Sequence, residues 1–303
     1  MMQHHVGRYI LLQRTLGKKF CAQEKSLNKF ATFAGARSAT HMTAALILEW
    51  AGTASTPNAA RIRFDQARAL AKFLHGEDAR HEIPAAGLLG RGRRQRPAPY
   101  ILTPDQIALI MAEALKVPGR APISALTYHH LFGLLASTGL RISEALSLQS
   151  DDLTVDGLMV RSGKFGKSRL VPVHASTQSA LDCYLATRRK ISSASDDLFV
   201  LGHGRAPTKT RAHVVFVRIV RQLGYRKSTG SGPRLHDLRH TFAVRSLEAC
   251  GSDPQVILQH MRALSTYLGH ADISNTYWYL ESTPVLLRII SSAAEGAWIG
   301  GAE

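Results

Sequence analysis

The stretch LGHADISNTYWYL, residues 268–280, sets one histidine and two tyrosines close together near the end of the chain. His270 follows a glycine, which suits a helix end, and Tyr279 comes nine residues later, two or three helical turns on. Tyr277 and Tyr279 can each be read as a packing aromatic, as a flat face on which a partner stacks, or as a hydroxyl nucleophile. The rest of the sequence separates these readings.

The chain has 303 residues, which suggests about two domains at roughly 150 residues each. A hydrophobic fraction of 45% is enough to bury real cores. Lys and Arg number 38 against 22 Asp and Glu, a formal net charge of +16. That excess points to a polyanionic partner, nucleic acid ahead of an anionic membrane surface. Cys21, Cys183 and Cys250 are far apart and form no CxxC pair, so they read as reduced thiols of a cytoplasmic protein. The start, MMQHHVGRYILLQ, has no signal-peptide apolar run. The longest apolar run, TAALILEWA, is short and carries Glu49, so it reads as a core helix and not a membrane span.

Residues 6–34 have apolar side chains at helical spacing and read as a first helix. Residues 41–51 read as a second. Residues 57–75 read as a third, capped by Thr56 with Pro57 in its first turn. Phe64, Ala67, Leu70 and Leu74 form its apolar stripe, while Arg61, Arg68 and Lys72 lie on another face, open to water or to phosphate. The Gly-, Arg- and Pro-rich stretch LLGRGRRQRPAPY, residues 88–100, reads as a linker. Its Arg91, Arg93, Arg94 and Arg96 either follow a phosphate backbone or belong to a tether that touches nothing.

A second domain opens at TPDQIALIMAEAL, with Thr103 as cap and Pro104 at the first helical position. TYHHLFGLLASTG reads as a buried helix ending near Gly139, and RISEALSL starts another. DGLMVRSGKFGKSRLVPV alternates like two strands around a glycine-containing turn. Helices follow over 176–190, about 211–224, LHDLRHTFAVRSLEAC and 255–267, with an amphipathic tail, PVLLRIISSAAEGAWI. The expected organisation is a helical domain over 1–87, a basic linker over 88–102, and a mainly helical domain with one small sheet over 103–303, whose tail helix spans about 284–299.

Four pieces carry candidate chemistry. In HDLRH, His236, Arg239 and His240 fall at i, i+3 and i+4 and share a helix face. Two imidazoles beside a guanidinium suit an oxyanion better than a metal cation; a plain basic surface is the alternative. In TGLRISEAL, Arg141 opens an otherwise apolar helix, with Glu144 one turn on to pair with it or brace it. In SGKFGKSR, Lys164 and Lys167 bracket the strand turn; solvated lysines are the alternative to one that protonates a leaving oxygen. The fourth piece is the opening stretch. Arginines, a lysine, histidines and a tyrosine, with no carboxylate pair and no metal-ligand set, suit metal-free phosphoryl transfer through a tyrosine.

These boxes, TGLRISEALSL, GKFGKSRLVPV, LHDLRHTFAV and LGHADISNTYWY, occur in the order and spacing of the tyrosine recombinases, the phage-integrase and Xer-type site-specific recombinase family, and the chain resembles that family over about 103–285. The first hundred residues are similar more loosely to its helical core-binding domain. The resemblance implies the DNA breaking–rejoining fold: mainly α, with an N-terminal helical, SAM-like core-binding domain and a C-terminal α+β catalytic domain holding a small antiparallel sheet. By position it implies Tyr279 as nucleophile, with Tyr277 left to packing or DNA proximity. Arg141, Arg239 and His270 would hold the non-bridging oxygens, Lys164 would act as general acid and His236 would assist proton transfer from the tyrosine. Phe165 stands where many relatives have glycine, which keeps Lys167 open as the acid. Lys167, Arg169, Arg61, Arg68, Lys72 and the linker arginines are expected on DNA.

The resemblance further implies a 3′-phosphotyrosyl intermediate, a Holliday junction, no cofactor and no metal. Expected partners are double-stranded DNA at a specific site, further copies of the chain up to a tetramer on paired sites, and accessory DNA-bending or partner recombinase proteins. It places the protein in the cytoplasm, on a bacterial nucleoid. Two readings share the fold: a type IB topoisomerase-like nicking and closing enzyme, and a DNA-binding protein without catalysis. The set of active-site residues argues against the second. A metal hydrolase is disfavoured because RHEIPAA has Ala85 where HExxH needs its second histidine.

Overall fold

Two left-handed residues divide the expected first helix. The computed structural model of the chain describes residues 1–90, 98–119, 121–161, 168–191, 195–251, 253–270, 272–281, 287, 288 and 291. It forms two units, Met1–Arg96 and Pro97–Glu303. In the first, α1 (Met2–Thr15) and α2 (Cys21–Gly35) replace one helix over 6–34. Gly17 at φ 78° and Phe20 at φ 50° separate them, and a right-handed helix cannot run through two such residues.

α3 (Ala44–Gly52) starts where the Thr43 hydroxyl accepts the Leu46 N–H at 3.1 Å. α4 (Pro57–His75) starts where Thr56 accepts the Ala59 N–H at 3.2 Å. The stripe of Phe64, Ala67, Leu70 and Leu74 is buried against Leu27, Phe30 and Ile47. Each large apolar side chain so buried contributes about 1.5–3 kcal/mol. His81 and Glu82 of RHEIPAA have structural work here: His81 Nδ1 accepts the Met42 N–H at 3.0 Å, and the Glu82 carboxylate accepts the Ala44 N–H at 2.7 Å.

In the second unit, α5 (Pro104–Ala114) begins with a capping box between Thr103 and Gln106. α6 (Ile123–Thr138) packs against α5, against α8 (Ala175–Ile191) and against α10 (Asp237–Glu248). Neighbours on several sides explain why its sequence is apolar nearly all round. α7 (Ile142–Ala145) is only one turn long. Beyond it the backbone leaves the helix to pair with a later segment, where the Leu198 N–H donates to the Leu148 carbonyl at 2.7 Å.

Strands β1 (Leu153–Thr154), β2 (Gly157–Val160) and β3 (Arg169–Val171) form one antiparallel sheet in sequence order. The register pairs Leu158 with Val171 and Val160 with Arg169. With a period of two, Arg169 shares the inner face of β3 with buried Val171, while Leu170 points out. The turn between β2 and β3 lies outside the described residues.

α9 (Lys209–Gln222) is capped by Thr208, and α11 (Pro254–Leu268) by Asp253. α10 begins two residues later than Leu235; His236 is its N-cap, but with helical backbone angles, so it stays in register with Arg239 and His240. α12 (Ser274–Tyr277) runs into a single 3-10 turn over Trp278–Glu281. Nearly all of the expected tail helix falls outside the described residues. Among the described residues no helix is long and apolar enough to cross a membrane.

Candidate active site

The site is organised around the C-terminal end of α11. A helix leaves its last carbonyls without intrahelical partners, and its dipole makes that end negative. Three arginines distant in sequence supply donors there. Arg239 donates to the Leu268 carbonyl at 2.9 Å, Arg141 to the Gly269 carbonyl at 3.0 Å, and Arg169 to the Tyr267 carbonyl at 2.9 Å. Gly269, at φ 65°, ends the helix, and a Cβ on it would lie 2.8 Å from Arg169 Nη1, so a side chain there would push that arginine aside.

Glu144 is the counter-charge. It is 6% exposed and accepts from Arg141 Nη1 at 2.7 Å, from the Arg141 backbone N–H at 3.0 Å and from Arg169 Nη2 at 3.0 Å. Burial pushes its carboxyl upward, and these hydrogen bonds outweigh that push, holding its pKa below the ordinary value. Arg169, expected on DNA, thus bridges Glu144 to the end of α11.

Arg239 is 2% exposed. Its other donors reach the Gly139 carbonyl at 2.7 Å and His270 Nε2 at 2.9 Å. Burial, then Arg141, lowers its pKa to about 10, so it stays charged at neutral pH. Gly139, at φ 61°, both ends α6 and presents that carbonyl. A Cβ there would sit 2.5 Å from Phe242 Cδ1.

Three imidazoles stand nearby. His270 has its pKa lowered to about 4 by burial first and Arg239 next. His236 is exposed on one side, lines a cavity of about 530 Å³ with Leu140, Lys209, His213 and Arg239, and is lowered to about 4 by desolvation of its packed edge and by Arg239. His240 is lowered to about 3 by burial and His236. All three are neutral at neutral pH.

The opening pair of tyrosines divides. Tyr277 is 43% exposed; Tyr279 is 2% exposed. The Tyr279 ring stacks on His270 with centroids 6.3 Å apart, and its hydroxyl lies 3.2 Å from His240 Nδ1. Arg141, Arg239, His236, His270 and Tyr279 therefore lie in one linked set. His240 and Arg169 join it in positions the sequence reading did not assign; the HxxRH spacing put His240 on the right face, but its contact with Tyr279 is tertiary.

Among the residues expected on DNA, Arg61 donates to Asn58 at 2.6 Å, Arg68 donates to the Pro84 carbonyl at 2.8 Å, and Lys72 is exposed on α4. Lys164, Lys167, Arg91, Arg93, Arg94 and Arg96 lie outside the described residues.

Guanidinium donors, neutral imidazoles and a tyrosine hydroxyl, with Glu144 already bound to two arginines, suit chemistry on a phosphate group. Residues 101–284 match the phage integrase family model, and the chain belongs to that family of site-specific DNA recombinases. It is 38% identical over 307 residues to a Sinorhizobium fredii protein named as an integrase/recombinase, y4rB, covering 97% of this chain and 96% of that one. It is 38% identical over 201 residues to tyrosine recombinase XerC of Rhodospirillum centenum, covering 65% of this chain and 54% of that one. Among solved structures, the XerH recombinase in its post-cleavage complex with palindromic difH substrate aligns at TM-score 0.67 and 20% identity, over 89% of this chain and 78% of that one. A λ integrase tetramer bound to a Holliday junction aligns at 0.65 and 15% identity, over 92% and 77%.

Proposed function

We propose that this recombinase cuts one DNA strand with the Tyr279 hydroxyl while Arg141, Arg239 and His270 hold the non-bridging oxygens of the scissile phosphate. The observation that carries the reading is the charge balance: three guanidinium groups gather at the end of α11, two of them, Arg141 and Arg169, share one buried carboxylate, Glu144, and a buried tyrosine hydroxyl lies beside His240. Buried charge needs a partner, and a phosphodiester supplies the missing negative charge. Charge that builds on the phosphate oxygens in the transition state meets donors already in place.

The Tyr279 oxygen attacks phosphorus, the bond to the 5′ oxygen breaks, and Lys164 protonates the departing oxygen. The product is a 3′-phosphotyrosyl bond and a free 5′-OH. The linkage keeps the energy of the cleaved bond, so the 5′-OH of a partner duplex rejoins it without ATP. Two rounds pass through a Holliday junction. XerH bound to its substrate and the λ integrase tetramer on a junction support double-stranded DNA and self-assembly as partners here. In this reading residues 1–87 form the core-binding domain, and 88–102 the basic linker.

The test is covalent trapping on nicked duplexes tiled from the DNA beside the protein's own gene. Wild type is expected to give a nuclease-shrinkable adduct on a denaturing gel, with or without EDTA. Tyr279→Phe is expected to bind DNA and give none. An adduct that survives Tyr279→Phe, or one abolished by EDTA, removes this mechanism.

A further inference from the structure

His236 and His240 lie one turn apart on α10 and face different neighbours. His236 opens onto the cavity it shares with Arg239. His240 turns inward, its ring 4.5 Å from His236, 5.1 Å from Trp278 and 5.6 Å from Tyr279 between centroids. Its Nδ1 is within hydrogen-bonding reach of the Tyr279 oxygen, at 3.2 Å. We infer that His240, and not His236, takes the proton of Tyr279 when that hydroxyl becomes a nucleophile. The inference rests on the reading of Tyr279 as the attacking residue.

A phenol is the better donor and a neutral imidazole nitrogen the better acceptor, which assigns the Tyr279 O–H to His240 Nδ1 and the imidazole's own proton to Nε2. In the step, the O–H bond breaks and its proton passes to the Nδ1 lone pair, giving an imidazolium. The freed oxygen pair forms the bond to phosphorus, and the leaving 5′ oxygen is protonated separately. On rejoining, the 5′-OH gives up a proton, Tyr279 leaves as a phenoxide, and His240 returns the proton it held. Nothing beyond protein, DNA and water is consumed.

The charged surroundings suit a base that is dormant until DNA binds. His240 faces His236, Asp237 and Arg239 on its own helix, Arg234 just before it, and Tyr279 with Trp278 from the 3-10 turn. Burial, His236 and the two arginines depress its basicity, and Asp237 partly restores it. The ring is therefore neutral in the free protein, with its lone pair directed at the hydroxyl. A phosphodiester beside Arg239 offsets part of that positive field and makes the ring a stronger base where the proton must be taken.

The test uses the full chain with ¹³C at the tyrosine ring carbon that bears the hydroxyl. The Tyr279 signal is the one missing from Tyr279→Phe, and the other tyrosine signals report folding. His240→Gln and His240→Ala are each expected to shift that signal and its titration midpoint, and His236→Gln to leave both in place. On a nicked duplex that traps wild type, His240→Gln is expected to form adduct about 10²-fold or more slowly, with duplex binding unchanged. The deficit should shrink as pH rises toward ionisation of the phenol itself. An unmoved Tyr279 titration in both His240 variants, or adduct formed at the wild-type rate, overturns the inference. If no duplex traps wild type, the nucleophile reading fails, and the carbon signal still decides whether His240 holds the hydroxyl.

Discussion

Arg239 donates to Nε2 of His270 at 2.9 Å. A guanidinium has no acceptor atoms, so Nε2 contributes a lone pair and the His270 proton sits on Nδ1, facing Thr276 Oγ1 at 2.8 Å. In the free protein His270 is thus an acceptor on the side where it is proposed to donate. A bound oxyanion competes for the Arg239 N–H and adds negative charge beside the ring, and both effects favour imidazolium.

The pKa of His270 is therefore expected to rise from about 4 toward the ordinary histidine value when a trapping duplex binds. Imidazole NMR on free and DNA-bound Tyr279→Phe measures it. A value that stays near 4 in the complex would remove His270 as a donor.

Acid should weaken the fold. His236, His240 and His270 have folded pKa values near 4, 3 and 4, below the unfolded value of about 6.5. His130, lowered to about 4 by burial, behaves likewise. Between those values the unfolded chain binds more protons, so stability is full above about pH 6.5 and declines as pH falls toward 4 and below. Thermal unfolding at pH 7.5 and pH 5 should show a lower Tm at pH 5, and a smaller drop in His240→Gln.

Removing Glu144 leaves Arg141 and Arg169 facing each other with their shared carboxylate gone. Glu144→Ala is expected to cost about 3–5 kcal/mol in urea unfolding, as for breaking other buried ion pairs. A loss below about 1 kcal/mol would mean that the carbonyls at the end of α11 are sufficient anchors.

Arg239→Lys should fail to rescue function. One ammonium cannot reach the Gly139 carbonyl, the Leu268 carbonyl and His270 Nε2 as the guanidinium fork does. Adduct formation is expected to fall about 10²–10³-fold for Arg239→Lys and for Arg141→Ala. Rates close to wild type would place the phosphate elsewhere.

Gly139→Ala should destabilise by about 1–3 kcal/mol, because φ is 61° and the added Cβ would meet Phe242 at 2.5 Å. Denaturant unfolding measures it. Equal stability would show that Phe242 moves aside freely.

Much of the fold, and one pair of the site, was legible because it is local. The caps at Thr56 and Thr103, the buried stripe of α4 and the pairing of Arg141 with Glu144 each span a turn or two of chain. The break at Gly17 was not legible, since apolar spacing continues across it. Nor was the brevity of α7, which ends because a segment fifty residues on competes for its backbone, through the bond from Leu198 to the Leu148 carbonyl.

By itself the sequence determined the charge, most of the helices of the second unit and the shared face of His236, Arg239 and His240, because helical period and composition are properties of neighbours along the chain. Only the tertiary structure decided which groups meet. Arg141 reaches the end of α11 across 127 residues, Arg169 across 98 and Arg239 across 29, while His240 meets Tyr279 across 39. The physical reason is that the carbonyls ending a buried helix must find donors, and the arginines must find acceptors. Packing alone selects which arginine meets which carbonyl, and which histidine meets the tyrosine.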